Sequence, residues 1–172
     1  LIPAGRLGGG PSIQGQGKYL IDAGHSTTIY NGECVKISSG YVVGGNGSAA
    51  DIVGVLNGIF YNDASTLKPT FANFYKATIT PANSEDTVAF VMDDPFQQYV
   101  VSSDAARTQA QFLATYDMNS SAGSDTTGKS SSTLDTSVTD ANGKQFRLIR
   151  SAEDPENEDI TAAFFSGIVV SN

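Results

Sequence analysis

The sequence predicts a mainly β protein: an antiparallel sandwich or barrel of short strands, with one short helix and an extended N-terminal arm. Short runs rich in β-branched and aromatic residues recur at near-regular spacing. Asn-Gly pairs, which accept the positive φ of tight hairpin turns, fall between several of them. The strand–helix alternation of a parallel α/β sheet is absent. A length of 172 residues suffices for one domain with a buried core. The division falls between an arm over 1–17 and a single β-rich domain over 18–172.

The arm, "LIPAGRLGGGPSIQGQG", is rich in Gly and Gln, carries Pro3 and Pro11, and shows no periodicity. Such a segment becomes ordered only by lying on something. Leu1, Ile2 and Leu7 supply apolar anchors and Arg6 a cation. From Lys18 onward, "KYLID", "TTIY", "ECVKIS" and "YVV" read as strands, with hairpin turns at Asn31-Gly32 and Asn46-Gly47. "DIVGVLNGIFY" reads as one long strand bulged at Asn57-Gly58, because apolar residues continue on both sides without a polar break. "FYKATI", "TVAFVM" and "QQYVV" follow, the last two joined by a turn at "DDPF". In "SSDAARTQAQFLA" a polar cap precedes good helix formers, and Ala105, Gln109 and Phe112 share a face, which predicts the short helix. "FLATYDM" is a further candidate strand. "TLDTSV" and "QFRLIR" flank Asn142-Gly143, and "ITAAFFSGIVV" closes the chain.

Ten Lys and Arg stand against eighteen Asp and Glu, a formal charge of −8. With no basic cluster, such a surface repels phosphate backbones and argues against a nucleic-acid partner. No run approaches the roughly 18 apolar residues of a membrane helix, and the N-terminus lacks the pattern of a signal peptide. One Cys and one His exclude a disulfide within the chain and leave too few ligands for a Cys/His zinc site.

The segment Gly123–Ser130, "GSDTTGKS", satisfies the phosphate-loop pattern G-x-x-x-x-G-K-[ST]. A phosphate loop needs a helix straight after the Lys, whose free N–H groups and dipole hold the phosphates. Here "SSSTLDTSVTD" follows, a run of poor helix formers. "AFVMDD" resembles a magnesium-positioning strand but precedes the motif, and Pro95 turns the chain at once. The match is therefore expected to be a Ser/Thr/Gly connection leading into a strand, with Lys129 a solvated cation.

The acidic run Glu153, Asp154, Glu156, Glu158 and Asp159 could attract calcium, but its spacing fits no EF-hand loop, so a solvated loop is expected. Asp93 with Asp94, and Glu85 with Asp86, are neighbours in turns with nothing to place them across a cleft. A Cys34–His25 nucleophile pair lacks a third group to orient the base. No catalytic residue, cofactor or metal is assigned.

The order of segments is familiar. A Gly-rich arm leads to "GQGKYLI", then to "NGECVKI" and the Gly-punctuated "DIVGVLNGIFY". "VAFVMDDPFQQYVV" follows as strand–DDP–strand, then "TGKSSSTLDTS", "QFRLIRSAEDPENE" and "AAFFSGIVVSN". Over most of its length the chain resembles the capsid decoration, or cement, proteins of tailed bacteriophages, departing from them at Asn57 and Cys34. The resemblance implies a non-enzymatic homotrimer with a "DDP" hairpin, made in the host cytoplasm and bound to the major capsid protein on the virion exterior. Interface candidates are then Leu1, Ile2, Pro3, Arg6, Leu7, Ile13 and Gln14 of the arm, with Tyr19 just beyond it. A tail or receptor-binding accessory domain that recognises a host surface ligand is the alternative.

Overall fold

The computed structural model describes residues 1–8, 15–45, 52–119, 123–140, 144–152 and 166–171. It is mainly β, with two antiparallel sheets packed as a sandwich. The first sheet runs in the order β1 (Ile2–Arg6), β8 (Gln97–Ser102), β12 (Ser166–Ser171), β11 (Phe146–Ser151), β9 (Thr115–Asn119) and β10 (Thr133–Asp140). The second runs β2 (Gly17–Ile21), β7 (Thr87–Met92), β5 (Ile52–Asn62), β3 (Cys34–Ser38) and β4 (Tyr41–Gly44), while β6 (Pro69–Ala72) pairs with the far half of β5.

Two cores hold these layers. Between the sheets, Cys34, Val55 and Met92 meet Tyr99, Tyr116, Phe146 and Leu148. Behind the second sheet, Ile21, Val35, Val42, Leu56, Ile59 and Val91 pack with Ile29 and Tyr75. Strand β3 thus buries Cys34 on one face and Val35 on the other. The second core is covered by chain rather than by a third sheet. Ile29 and Tyr75 exchange backbone hydrogen bonds of 2.9 Å each way, and this clasp lies over it. The segments "TTIY" and "FYKATI", expected as strands, supply this cover and form only that one bridge with each other. Their apolar residues signalled burial, and burial here is that of a lid.

The Asn57-Gly58 bulge is present. The β5–β7 register shifts between Leu56 and Gly58, and Asn57 is exposed. One extra residue reverses the alternation, so Leu56 and Ile59, three apart, face the same core.

The "DDPF" turn also forms: Gln97 N–H donates to Asp94 O (3.0 Å) and Phe96 N–H to Asp94 Oδ1 (2.9 Å). The strands it joins are not a hairpin, however, because β7 lies in one sheet and β8 in the other. The turn is a corner between layers. Strands β1 and β2 follow the same path, β1 pairing with β8 and β2 with β7.

Three other local expectations change. The predicted helix contracts to a single 3₁₀ turn, Gln109–Gln111, closed by a Thr108–Gln111 capping box. It cannot propagate, because Leu113 N–H donates to Leu148 O (2.7 Å) and Leu148 N–H to Ala114 O (3.2 Å), drawing the chain into strand pairing with β11. Asn31-Gly32 turns the chain, with Gly32 at φ +79° and Glu33 N–H on Tyr30 O, but delivers it into β3 without a hairpin. The β3–β4 hairpin turns instead at Ser39 and Gly40, both at positive φ. Finally, β10 and β11 are not paired across Asn142-Gly143, since β9 lies between them. Asn46-Gly47 and Asn142-Gly143 themselves lie outside the described residues.

Candidate binding surface

The arm is part of the first sheet. Ile2 to Arg6 form its edge strand, bulged between Pro3 and Gly5. Pro3 offers no N–H and the bulge breaks the register, so this edge is a poor template for a further strand. Leu1 folds inward, its nitrogen donating to Gly32 O (2.8 Å) and its side chain packing on the inter-sheet core. Arg6 Nε stands 3.2 Å from Asp94 Oδ2, as an ion pair rather than an aligned hydrogen bond, and the guanidinium lies over the Phe96 ring at 5.4 Å. Leu7 N–H then donates to Phe96 O (2.9 Å). The arm is riveted to the corner.

Among the interface candidates, Leu1, Arg6 and Tyr19 therefore have duties inside the fold. The Tyr19 hydroxyl donates to Asp93 Oδ2 (2.8 Å), a bond that raises its pKa above the usual phenol value. Ile2 (65% exposed) and Pro3 are exposed opposite Val100 and Tyr99, while Leu7 (43%) is exposed at the other end of the strand beside Phe96 (50%). Ile13 and Gln14 lie outside the described residues.

A second apolar surface escaped sequence reasoning. On the face of the second sheet that meets the first, Val55 and Met92 are covered, but further along the strands Phe60, Val88 and Phe90 are not fully buried. Phe71, on β6, is 72% exposed and lies against Phe60 (ring centroids 4.8 Å) and Phe90 (6.2 Å). The available signal was the alternation of Val88 and Phe90 in "TVAFVM", whose second face needs a cover.

The phosphate-loop match is a closed surface loop. Gly128 N–H donates to Ser124 O (2.7 Å) and Ser124 N–H to Lys129 O (3.0 Å). No helix follows; the chain enters β10. Both motif glycines serve packing: a Cβ on Gly123 would stand 2.4 Å from the Tyr30 ring, and Gly128, at φ +69°, sits against Asn73 and Phe74. The loop is tied down rather than free. Asp125 accepts from the Tyr30 hydroxyl (2.8 Å) and pairs with Lys76 (3.2 Å), while Tyr30 stacks on Phe74. Lys129 is exposed and makes no ion pair among the described residues.

The other candidates are likewise engaged structurally. Cys34 is buried in the inter-sheet core, where desolvation pushes its thiol up to about 12. His25 lies against Tyr75 behind the second sheet, its pKa lowered by desolvation. The two do not meet. Asp86 accepts from Ala23 N–H (3.1 Å), Asp93 from Tyr19, and Asp94 both caps its turn and pairs with Arg6. Glu85 accepts from Asn62 Nδ2 (3.4 Å). Among the described residues no cluster of His, Cys, Asp and Glu is placed to hold a metal ion, and no helix is long and apolar enough to cross a membrane. The acidic run 153–159 lies outside the described residues. Compared with known protein families, with curated proteins and with solved structures, the chain matched nothing.

Proposed function

We propose that this chain is a structural virion protein that decorates the outside of a tailed-phage capsid and stabilises the shell across capsomer joints. Its partner is then the major capsid protein, and the chain carries out no catalysis. The support from sequence is the succession of segments shared with decoration proteins. The observation that carries the reading is the arm: Ile2, opposite Val100, and Leu7, beside Phe96, are held exposed at the two ends of an edge strand fixed by Arg6 to Asp94. Apolar side chains held on a fixed strand lose little conformational entropy on docking. A protein that binds the assembled shell, and not its separated subunits, stabilises the shell by mass action. The surplus of acid keeps its exposed surface away from DNA.

The test is co-sedimentation of the purified protein with capsids that lack it. Truncating residues 1–17 would also uncover β8, so Ile2→Asp combined with Leu7→Asp is the cleaner perturbation. Capsid binding is expected to fall at least tenfold with the melting temperature unchanged. Failure of the unsubstituted protein to bind capsids, or full binding by the double variant, would overturn the proposal. A tail or receptor-binding domain would instead keep its ligand after both substitutions.

A further inference from the structure

The exposed half of the second sheet is built like half of a core. Its residues form cross-strand rows fixed by register: Leu20 opposite Val88, Val88 opposite Phe60, and Phe60 opposite Phe71. Leu20 is 44% exposed and Phe71 72%. The next row holds Phe90 between Lys18 and Gly58. Along the same strands Val55 and Met92 are covered by the first sheet, so one continuous apolar face is half capped and half open.

Charge says what completes it. A chain of formal charge −8 repels its own copies over most of its surface, yet the Leu20–Val88–Phe60–Phe71 row carries no charge. Lys18, exposed, stands at one end of the open face beside Phe90. Glu85, exposed, stands at the other end, on Asn62. Lys68 is farther out, beyond Pro69 in the β5–β6 turn. A two-fold axis lying along the row, in the plane between two copies, turns the faces together, lays each copy's row on its partner's and, by reversing the strand direction, carries each Lys18 end to the other copy's Glu85 end. The face is self-complementary under that operation, as an isologous contact must be.

We infer that two copies of this chain pair face to face through Leu20, Phe60, Phe71, Val88 and Phe90, with reciprocal Lys18–Glu85 contacts. The pairing is independent of capsid binding by the arm, which lies on the other sheet. It also gives a dimer where the resemblance in the sequence implies a trimer.

Light scattering coupled to size exclusion, at about 100 µM protein, reads the number of chains; that concentration lies well above the micromolar dissociation constants of modest interfaces. Two chains are expected, falling to one with Phe71→Arg, an exposed position whose change leaves the circular dichroism intact. Lys18→Glu and Glu85→Lys should each weaken the pair several-fold, and the double reversal should restore it. A single chain at that concentration, three chains, a mass unmoved by Phe71→Arg, or no rescue by the double reversal would each overturn the inference. Co-sedimentation with capsids on the same samples keeps the two proposals separate: Phe71→Arg should still bind.

Discussion

Replacing Gly123 by Ala distinguishes a packed loop from a nucleotide site more sharply than replacing Lys129. The added methyl would lie 2.3 Å from Lys129 O and 2.4 Å from Tyr30 Cγ. The carbonyl is not free to retreat, because it accepts Ser124 N–H and closes the loop. Tyr30 must move instead, leaving its stack on Phe74 (5.8 Å, 5° between planes) and its hydrogen bond to Asp125. Overpacking costs about 1–3 kcal/mol, and an aromatic pair contributes about 0.5–1.5 more. A sum of about 2–4 kcal/mol corresponds to a melting temperature lowered by roughly 5–15 °C at this chain length. Lys129→Ala removes an exposed side chain and should stay within about 0.5 kcal/mol. Thermal and urea melts, run with and without magnesium ATP, measure both. A Gly123→Ala protein melting within about 1 °C of the parent would refute the packing account. If ATP stabilised the parent but not Lys129→Ala, the phosphate-loop reading would return.

Other perturbations follow from the same geometry. The Tyr30 hydroxyl first, and Lys76 second, hold the Asp125 carboxyl below its ordinary value. A depressed folded-state pKa stabilises above the unfolded value and ceases to as pH falls through the folded one. Asp125→Asn should therefore cost stability near pH 6, with the gap narrowing in a urea-melt series as pH falls below the ordinary Asp value; a gap constant with pH would contradict this. Cys34 should react with a thiol reagent at pH 8 only as fast as the protein globally unfolds, and reaction at the rate of a free thiol would show that the core opens locally. Deleting Asn57 removes the extra residue and leaves Leu56 and Ile59 on one core face, whereas deleting Asn57 and Gly58 together makes them adjacent and drives Ile59 out, so the double deletion should cost at least about 2 kcal/mol more than the single; equal losses in urea melts would disprove the role given to the bulge.

The sequence revealed local features whose cause is local. Asn57-Gly58 reads as a bulge because the apolar run beside it never breaks, and "DDPF" as a turn because Pro95 and the Asp side chains act within four residues. Partner choice was not legible. Nothing in "TVAFVM" or "QQYVV" says that the chain changes layer between them, because that depends on β2 and β1 arriving from far away in the sequence. Ile29 and Tyr75, read as members of strands, are buried but form only a single bridge, since periodicity reports burial and not pairing. The helix failed for a similar reason: Leu148, some 35 residues downstream, claims the Leu113 N–H. Of the exposed apolar positions, Ile2, Pro3 and Leu7 were legible as unaccompanied apolar residues in a Gly-rich arm. The aromatic face was not, because Phe60, Phe71 and Phe90 come together only through the β5–β6 and β5–β7 registers.

The place of β12 has a consequence in time. This strand lies between β8 and β11, while β1 occupies the other side of β8. During synthesis β8 emerges with an early partner waiting, yet its second edge stays unpaired until residues 166–171 leave the ribosome. The first sheet is therefore completed only once residues 166–171 are available, whereas all the described strands of the second sheet are already made by Met92. Long-range closure of this kind is slow, and the open edges of β8 and β11 are sticky while they wait. A ribosome stalled between β11 and β12 should hold a finished second sheet beside an unfinished first one, which makes β12 the residue stretch that commits the molecule to its fold.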